Sequence, residues 1–429
     1  MKFLVLIGDG MADRPLEALG GLTPLQMANT PNMDRLASES LVGSVLTVPE
    51  GLPPGSDVAN LSILGYDPRL YYSGRAPLEA ASMGLSLQPQ DVAFRCNLVT
   101  LKFDGPSTIM EDYSSGHITT GESGMLIETL KEKLADHRIS FYPGVSYRHL
   151  MVIKRDEGAA DYAAANCTPP HDISGREAGP YYPSGSGEDL LIELMDKSRE
   201  ILKDHPVNVE RRKQGKNPAT SIWLWGQGKR PDMPAFKEKY GLSGALISAV
   251  DLTKGLGVYA GFRIIDVPGV TGYIDTNYVG KARYGVDALR DVDFVYIHVE
   301  APDEAGHMGK MDDKIRAIED FDRLVVGGVL EALDNRGNNG PRSPSGPNDN
   351  SIGDYRILIM PDHATPLAIK THSREPVPFI IYDSRYKVNS GQATYDESIV
   401  ARTDVVKIDA GFTLMDRFVD YKQTAGEKH

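Results

Sequence analysis

The 429-residue sequence predicts an α/β protein: a doubly wound, mostly parallel sheet carrying an inserted α+β lid domain. Three observations carry that reading. Continuous apolar runs, the first of them Lys2-Phe3-Leu4-Val5-Leu6-Ile7, stop at loops of glycine and acid, as parallel strands buried on both faces do. From residue 242 onward such runs alternate with helix-periodic segments, the signature of repeated β-α-β units. Between Ser73 and Gly241 the pattern breaks into longer strand runs and separate helices. Residues 1–72 with 242–429 therefore read as one discontinuous domain and 73–241 as an insertion.

Each element follows from local chemistry. Lys2–Ile7 is a strand ended by Gly8-Asp9-Gly10. Thr30-Pro31 opens a helix, with Thr30 as the cap and proline at the first position. Leu41–Val48 is the next strand and leads into Pro53-Pro54-Gly55-Ser56, a sharp turn followed by a short helix. In the insertion, strands fall at Val92–Leu101, His149–Lys154 and Ser221–Trp225, and helices at Glu122–Ala135 and near Glu188–Lys203. The main pattern resumes with strand Ala245–Val250, helix Asp251–Ala260, strand Arg263–Val267, helix Val279–Leu289 and strand Phe294–Val299. One long helix over Asp313–Leu333 and strands Arg356–Met360 and Phe379–Tyr382 complete it. Asn335–Asp354, rich in Asn, Gly, Pro and Ser, reads as a solvated, mobile loop, and Lys422–His429 as a frayed end.

Composition sets the class. With 41% hydrophobic and 24% charged residues the chain is a soluble globular protein, long enough for a large core. A net charge of −13 argues against a nucleic-acid surface. It leaves small anionic substrates open, because a bound metal or an arginine cluster sets the local field. The apolar N-terminus is short, lacks a small-residue cleavage site and reads as a buried strand. The absence of an 18-residue apolar run predicts no membrane span. The two cysteines, Cys96 and Cys167, form no CxxC motif, and Cys96 lies in a strand-like apolar run; a reducing cytoplasm fits.

Four loops carry groups of metal-ligand type, and each falls where a predicted strand ends or its following turn begins. They hold Asp9; Ser56; Asp303 and His307, just after Phe294–Val299; and Asp362-His363, just after Arg356–Met360, with His372 nine residues past His363. In open α/β sheets ligands bind at such ends. Asp303 and His307, four residues apart, share a face if that segment is helical. Adjacent Asp362 and His363 reach one ion only from an irregular loop. Ser56 at a helix start either caps the helix or faces free N–H groups suited to a phosphoryl group. Mixed carboxylate and imidazole ligands suit Mn²⁺ or Zn²⁺ better than Ca²⁺. Six such ligands plus a serine exceed one four-coordinate site and imply two ions, an arrangement that clamps both oxygens of an in-line displacement.

At these residues the chain resembles a known family. Gly8-Asp9-Gly10, Pro54-Gly55-Ser56-Asp57, Ala301-Pro302-Asp303-Glu304-Ala305-Gly306-His307 and Pro361-Asp362-His363 with His372 look like the motifs of the alkaline phosphatase superfamily. Within it, the likeness is to the archaeal-type cofactor-independent (2,3-bisphosphoglycerate-independent) phosphoglycerate mutases. It extends to Ile63-Leu64-Gly65-Tyr66-Asp67-Pro68 and Trp223-Leu224-Trp225-Gly226-Gln227-Gly228. The resemblance implies an alkaline-phosphatase-like sheet and two divalent ions, Mn²⁺ first, with Zn²⁺ or Mg²⁺ as alternatives and no bisphosphoglycerate. Asp9, Ser56, Asp362 and His363 would hold one ion, and Asp303, His307 and His372 the other. Ser56 would be the nucleophile that becomes phosphoserine, and Lys254 and Arg230 would meet the substrate phosphate. Glu111-Asp112-Tyr113-Ser114-Ser115-Gly116-His117 departs from the arginine-rich stretch of archaeal mutases and resembles a bacterial subgroup with a proposed homoserine kinase role.

The expected partner is a small phosphorylated substrate, with neither nucleic acid nor membrane involved. A mutase must exclude water, or it becomes a phosphatase. The insertion is thus expected to act as a lid whose cations, among Arg148, Arg176, Lys229 and Arg230, meet carboxylate and phosphate. His117, His171 and Asp172 are candidate proton carriers. A homoserine kinase-like phosphotransferase and a metal-dependent phosphatase are the alternatives on the same scaffold. The first would use a nucleotide, yet the chain has no G-x-x-x-x-G-K-[ST] loop.

Overall fold

The computed structural model describes residues 1–105, 107–154, 159–337 and 352–420. Most of the expected Asn335–Asp354 loop, and the tail Lys422–His429, lie outside the described residues. The chain opens with β1 (Lys2–Gly8), α1 (Pro31–Ser38), β2 (Leu41–Val45) and α2 (Ser56–Ile63). It continues through β3 (Val92–Asp104), β4 (Ser107–Asp112), α3 (Thr120–Leu134), β5 (Ile139–Tyr142), β6 (Arg148–Ile153), α4 (Glu188–Lys203) and β7 (Ser221–Gly228). Next come β8 (Gly244–Ile247), α5 (Asp251–Tyr259), β9 (Arg263–Ile264), α6 (Tyr278–Ala288), β10 (Phe294–Val299) and α7 (Ala301–Met308). The chain closes with α8 (Met311–Asp320), α9 (Gly327–Gly337), β11 (Tyr355–Met360), β12 (Val377–Asp383) and β13 (Val406–Ile408).

These elements form two compact units, 1–72 with 233–429, and 73–232. The second crossing lies at Met233 rather than at 242. The cause is Phe236, fully buried in the first unit with its ring 5.0 Å from Phe262 and 4.6 Å from Phe294.

The first unit is built on an eight-stranded sheet in the order β9-β8-β10-β1-β11-β12-β2-β13. The strands are parallel except β12, which runs against both β11 and β2. Apolar side chains of β1, β10 and β11 are buried throughout, which is why these strands read as continuous apolar runs. Register sets up the site. Ile7 pairs with His298 on one side and Met360 on the other, so the loops after β1, β10 and β11 leave the sheet side by side.

Two expectations about helices need correction. The predicted Asp313–Leu333 helix is α8 and α9 separated by a wide π-helical turn, Phe321–Val326. Buried Asp322 in that turn accepts hydrogen bonds from the first-turn amides of α1, Met33 N at 2.7 Å and Asn32 N at 3.2 Å. Asp322 thereby does the capping expected of Thr30, whose hydroxyl turns to Asp34 instead.

The second unit is an antiparallel sheet in the order β4-β3-β6-β5, with β7 paired to β3. α3 and α4 contribute Leu126, Ile127, Leu130, Leu191, Leu194 and Met195 to its core, which also holds Cys96 and Trp223. Among the described residues no helix is long and apolar enough to cross a membrane.

Candidate metal centre

The ligand loops converge at the ends of β1, β10 and β11. Ser56 is the first residue of α2, after Gly55, and neither Ser56 nor Asp57 caps that helix. The Ser56 hydroxyl is turned to the sheet edge, with Oγ 3.2 Å from Asp9 Oδ2 and 3.1 Å from His363 Nε2. Asp57 is buried and accepts from the Tyr72 hydroxyl at 2.7 Å. Asp362 Oδ1 accepts from Gly10 N at 3.1 Å and from His363 N at 2.8 Å, which fixes the carboxylate beside the β1 loop.

Asp303 and His307 lie one turn apart on α7, with Asp303 Oδ2 3.2 Å from His307 Nε2. His372 Nε2 is 2.9 Å from His307 Nε2 and 3.5 Å from Asp303 Oδ1. The backbone sets both imidazoles. His307 Nδ1 is 3.0 Å from Lys370 O and His372 Nδ1 is 3.2 Å from Pro54 O. A carbonyl oxygen only accepts, so each Nδ1 carries a proton and each Nε2 faces inward.

Among the described residues, two groups have ligand atoms close enough to share an ion: Asp9, Asp362 and His363, and Asp303, His363 and His372. His363 stands between them and belongs to both. The electrostatics agree with a cation site. Burial, then the charges of Asp362 and Asp303, push the Asp9 carboxyl well above its usual range. Burial would also raise Asp303, yet hydrogen bonds from His307 and His372 outweigh it and hold that carboxyl well below the usual range. Burial lowers the His363 imidazole and favours its neutral form, the form that ligates. Three buried carboxylates facing three inward Nε2 atoms fit hard-to-borderline divalent ions.

Lys254 lies on α5 in the first unit, and Arg230 is exposed in the second. His117, Arg148 and His171 of the second unit border one aromatic patch. His117 and Arg148 lie against Tyr147, at 6.3 and 5.8 Å, and His171 lies 5.3 Å from Trp225. Asp172 is 3.6 Å from the His171 ring, Lys229 pairs with Asp161 at 3.0 Å, and Arg176 is exposed. His117 sits in a run of left-handed backbone, φ 51° at Ser115, 66° at Gly116 and 47° at His117. Asp112 and buried Arg211 hold that run, through Gly116 N at 2.6 Å and Ser115 O at 2.6 Å.

Comparison with known proteins places these features. Residues 37–208 match the family model for 2,3-bisphosphoglycerate-independent phosphoglycerate mutase, and residues 350–410 that of the Metalloenzyme superfamily. A relative from Geobacter sulfurreducens, named a probable 2,3-bisphosphoglycerate-independent phosphoglycerate mutase, is 50% identical over 420 residues, covering 98% of this chain and all of its own. A relative from Methanothrix thermoacetophila bearing the same name without the qualifier is 54% identical over 397 residues, 92% of this chain and 94% of its own. The chain belongs to the 2,3-bisphosphoglycerate-independent phosphoglycerate mutase family. A solved cofactor-independent phosphoglycerate mutase from Thermoplasma acidophilum shares the fold, with a TM-score of 0.64 at 28% identity over 97% of this chain and 99% of that one. As a member of this family, the chain is a divalent-metal-dependent enzyme acting on small phosphorylated substrates.

This phosphoglycerate mutase family member also carries site residues that the sequence reading missed. His298, fully buried in β10, places Nε2 3.1 Å from Asp9 Oδ2 and Nδ1 3.3 Å from Ser248 Oγ. Lys281, fully buried on α6, donates to His298 O at 2.7 Å. Asn60, Tyr296, Lys314 and Thr365 brace the ligand loops through hydrogen bonds. The signals were present but weak. His298 is a histidine inside an apolar run, in register with the residue two before Asp9, and Asn60 sits one helical turn after Ser56.

Proposed function

We propose that this chain interconverts 3-phosphoglycerate and 2-phosphoglycerate, with Ser56 carrying the phosphoryl group between the two hydroxyls and no bisphosphoglycerate involved. The observation that carries the reading is the Ser56 hydroxyl at the start of α2, 3.1 Å from His363 Nε2 and 3.2 Å from Asp9 Oδ2. We assign Asp9, Ser56, Asp362 and His363 to one ion and Asp303, His307 and His372 to a second, with Mn²⁺ first and Zn²⁺ or Mg²⁺ as alternatives. Bound there, the ions supply Lewis-acid charge that acidifies the hydroxyl and offsets the charge of the incoming phosphate.

The chain's own groups do the rest. Ser56 Oγ, acidified at the ion site, would lose its proton to solvent before the substrate seals the site, and would then attack phosphorus in line. The bond from phosphorus to the glycerate oxygen breaks, and that oxygen takes up a proton. The phosphoryl group on Ser56 would sit at the start of α2, where a helix N-terminus favours an anion. The glycerate reorients, and its other hydroxyl takes the phosphoryl group from Ser56 with the reverse proton transfer. Lys254 is assigned to the substrate phosphate, along with Arg230. The second unit offers Arg148 for the carboxylate and His117, His171 and Asp172 for the hydroxyl protons. The reading places the enzyme in glycolysis and gluconeogenesis, in the cytoplasm.

The test is purified protein with Mn²⁺, given 3-phosphoglycerate without bisphosphoglycerate and, in parallel, ATP with homoserine. Isomerisation lost with EDTA and in Ser56→Ala is expected. Isomerisation that survives Ser56→Ala rules out the phosphoserine route, and homoserine phosphorylation without isomerisation overturns the substrate assignment.

A further inference from the structure

We propose that Thr365 is a positioning residue whose single hydroxyl fixes Asp303 and His363 together, so that the two ligand groups are set as one unit. Thr365 is fully buried two residues past His363. Its Oγ1 is hydrogen-bonded to Asp303 Oδ1 and lies 3.3 Å from His363 Nδ1. An ionised carboxylate only accepts, so the hydroxyl proton goes to Asp303. The hydroxyl lone pair is then left to accept from His363 Nδ1–H. That fixes the His363 tautomer: Nε2 keeps its lone pair, and Nε2 is the atom 3.1 Å from Ser56 Oγ and 3.6 Å from Asp9 Oδ1. His363 is the residue common to both ligand groups, so one hydroxyl orients a ligand in each.

The rest of the fold holds that hydroxyl still. Thr365 N donates to Ala12 O at 3.2 Å, and Thr365 O accepts from Lys314 Nζ at 2.8 Å. Lys314 is itself fully buried and pairs with Asp13 at 2.8 Å. Two glycines allow the loops to close on the threonine. A Cβ on Gly10 would stand 2.5 Å from Thr365 Oγ1, and one on Gly306 2.7 Å from Thr365 O. A buried threonine filling space needs neither its hydroxyl aimed at two ligands nor its carbonyl held by a buried lysine.

The inference rests on the two-ion reading, and the experiment separates the two. Mn²⁺ binding is measured by calorimetry without substrate for wild type, Asp362→Asn, Thr365→Ser and the isosteric Thr365→Val, each checked by thermal melting. Thr365→Val is expected to bind Mn²⁺ roughly 10–100-fold more weakly, as loss of an outer-sphere partner does, while Thr365→Ser stays within about threefold of wild type. In turnover, kcat falls in Thr365→Val with little change in KM. If Thr365→Val does not fold, Thr365→Ala against Thr365→Ser gives the same contrast. Wild-type affinity in Thr365→Val, or equal loss in Thr365→Ser, overturns the inference alone. A wild-type protein that binds no Mn²⁺, or Asp362→Asn binding as wild type does, overturns the ion reading and this inference with it.

Discussion

Asn60 Nδ2 donates to Asp362 Oδ2 across 2.8 Å, tying the helix that presents Ser56 to the loop that follows β11. The same amide reaches Ser56 O at 2.8 Å, so one side chain fixes the backbone of the proposed nucleophile and the carboxylate of a proposed ligand. The Tyr296 hydroxyl, fully buried in β10, donates to Asn60 Oδ1 and settles which way the amide points. Asn60→Leu should therefore lower kcat by about 10–100-fold with little change in KM, because the ligand is mispositioned and the substrate contacts remain. It should also cost about 1–3 kcal/mol of stability, since the Tyr296 hydroxyl is left buried without its acceptor. Steady-state kinetics and a denaturant titration measure both, and a wild-type kcat would contradict the positioning role.

Lys314 and Asp13 form an ion pair with both side chains fully buried. Lys314 Nζ also donates to Ala12 O and Thr365 O, and Asp13 accepts from Leu367 N at 3.1 Å. The pair therefore joins α8 to the loops after β1 and β11. Desolvating two charges offsets most of their attraction, so the pair itself adds little net stability, but either charge left alone is expensive. Lys314→Met is expected to destabilise the fold by about 3–5 kcal/mol, and the double change Lys314→Met with Asp13→Leu by clearly less. Chemical denaturation of the three variants measures the coupling. A double variant no more stable than Lys314→Met would show that the cost comes from packing and not from the unpaired carboxylate.

Gly10 shows how little room the centre has. Its φ is +60°, and a Cβ there would stand 2.6 Å from Asp303 Oδ1 and 2.8 Å from Asp303 Cα. Gly10→Ala meets both a left-handed backbone and a backbone atom that cannot rotate away, for a cost of about 1–3 kcal/mol. The displaced group is a proposed ligand, so Mn²⁺ affinity should fall together with stability. Calorimetry beside a thermal melt would show it, and Gly10→Ala with unchanged Mn²⁺ affinity would place Asp303 outside the ion's reach.

The strands and ligand loops were legible for one physical reason: a doubly buried strand must be apolar, so a charged residue at its end stands out. Asp9, Asp303 and Asp362-His363 all follow such runs. What lay beyond the sequence were contacts made across long separations. Asp322 caps α1 from 289 residues away, and local pattern offered only Thr30 for that task. The π turn that carries Asp322 adds residues to one helical turn without breaking the apolar periodicity, so one long helix was expected. Thr365 and Asn60 are ordinary polar residues until the fold places Asp303 and Asp362 against them. Short β13, of which only Ile408 is buried, lacked the apolar run that marked the other strands.

His307 makes the centre sensitive to pH, with opposite signs for folding and for ion binding. Burial alone would lower this imidazole, but the hydrogen bond and charge of Asp303 outweigh it and push it from 6.5 up to about 9. A folded-state value above the unfolded one means that the ion-free protein has the full stabilisation below pH 6.5 and loses it as pH rises through about 9. Binding runs the other way, because Nε2 must release its proton before it can ligate. Mn²⁺ affinity at the Asp303, His307 and His372 set should thus climb about tenfold per pH unit below that value and level off above it. Calorimetry at several pH values, in buffers of different ionisation heat, should find about one proton released per ion at that set near neutral pH. His307→Gln should flatten the slope and abolish the release. An affinity independent of pH between 6.5 and about 9 would remove His307 from the ligand set.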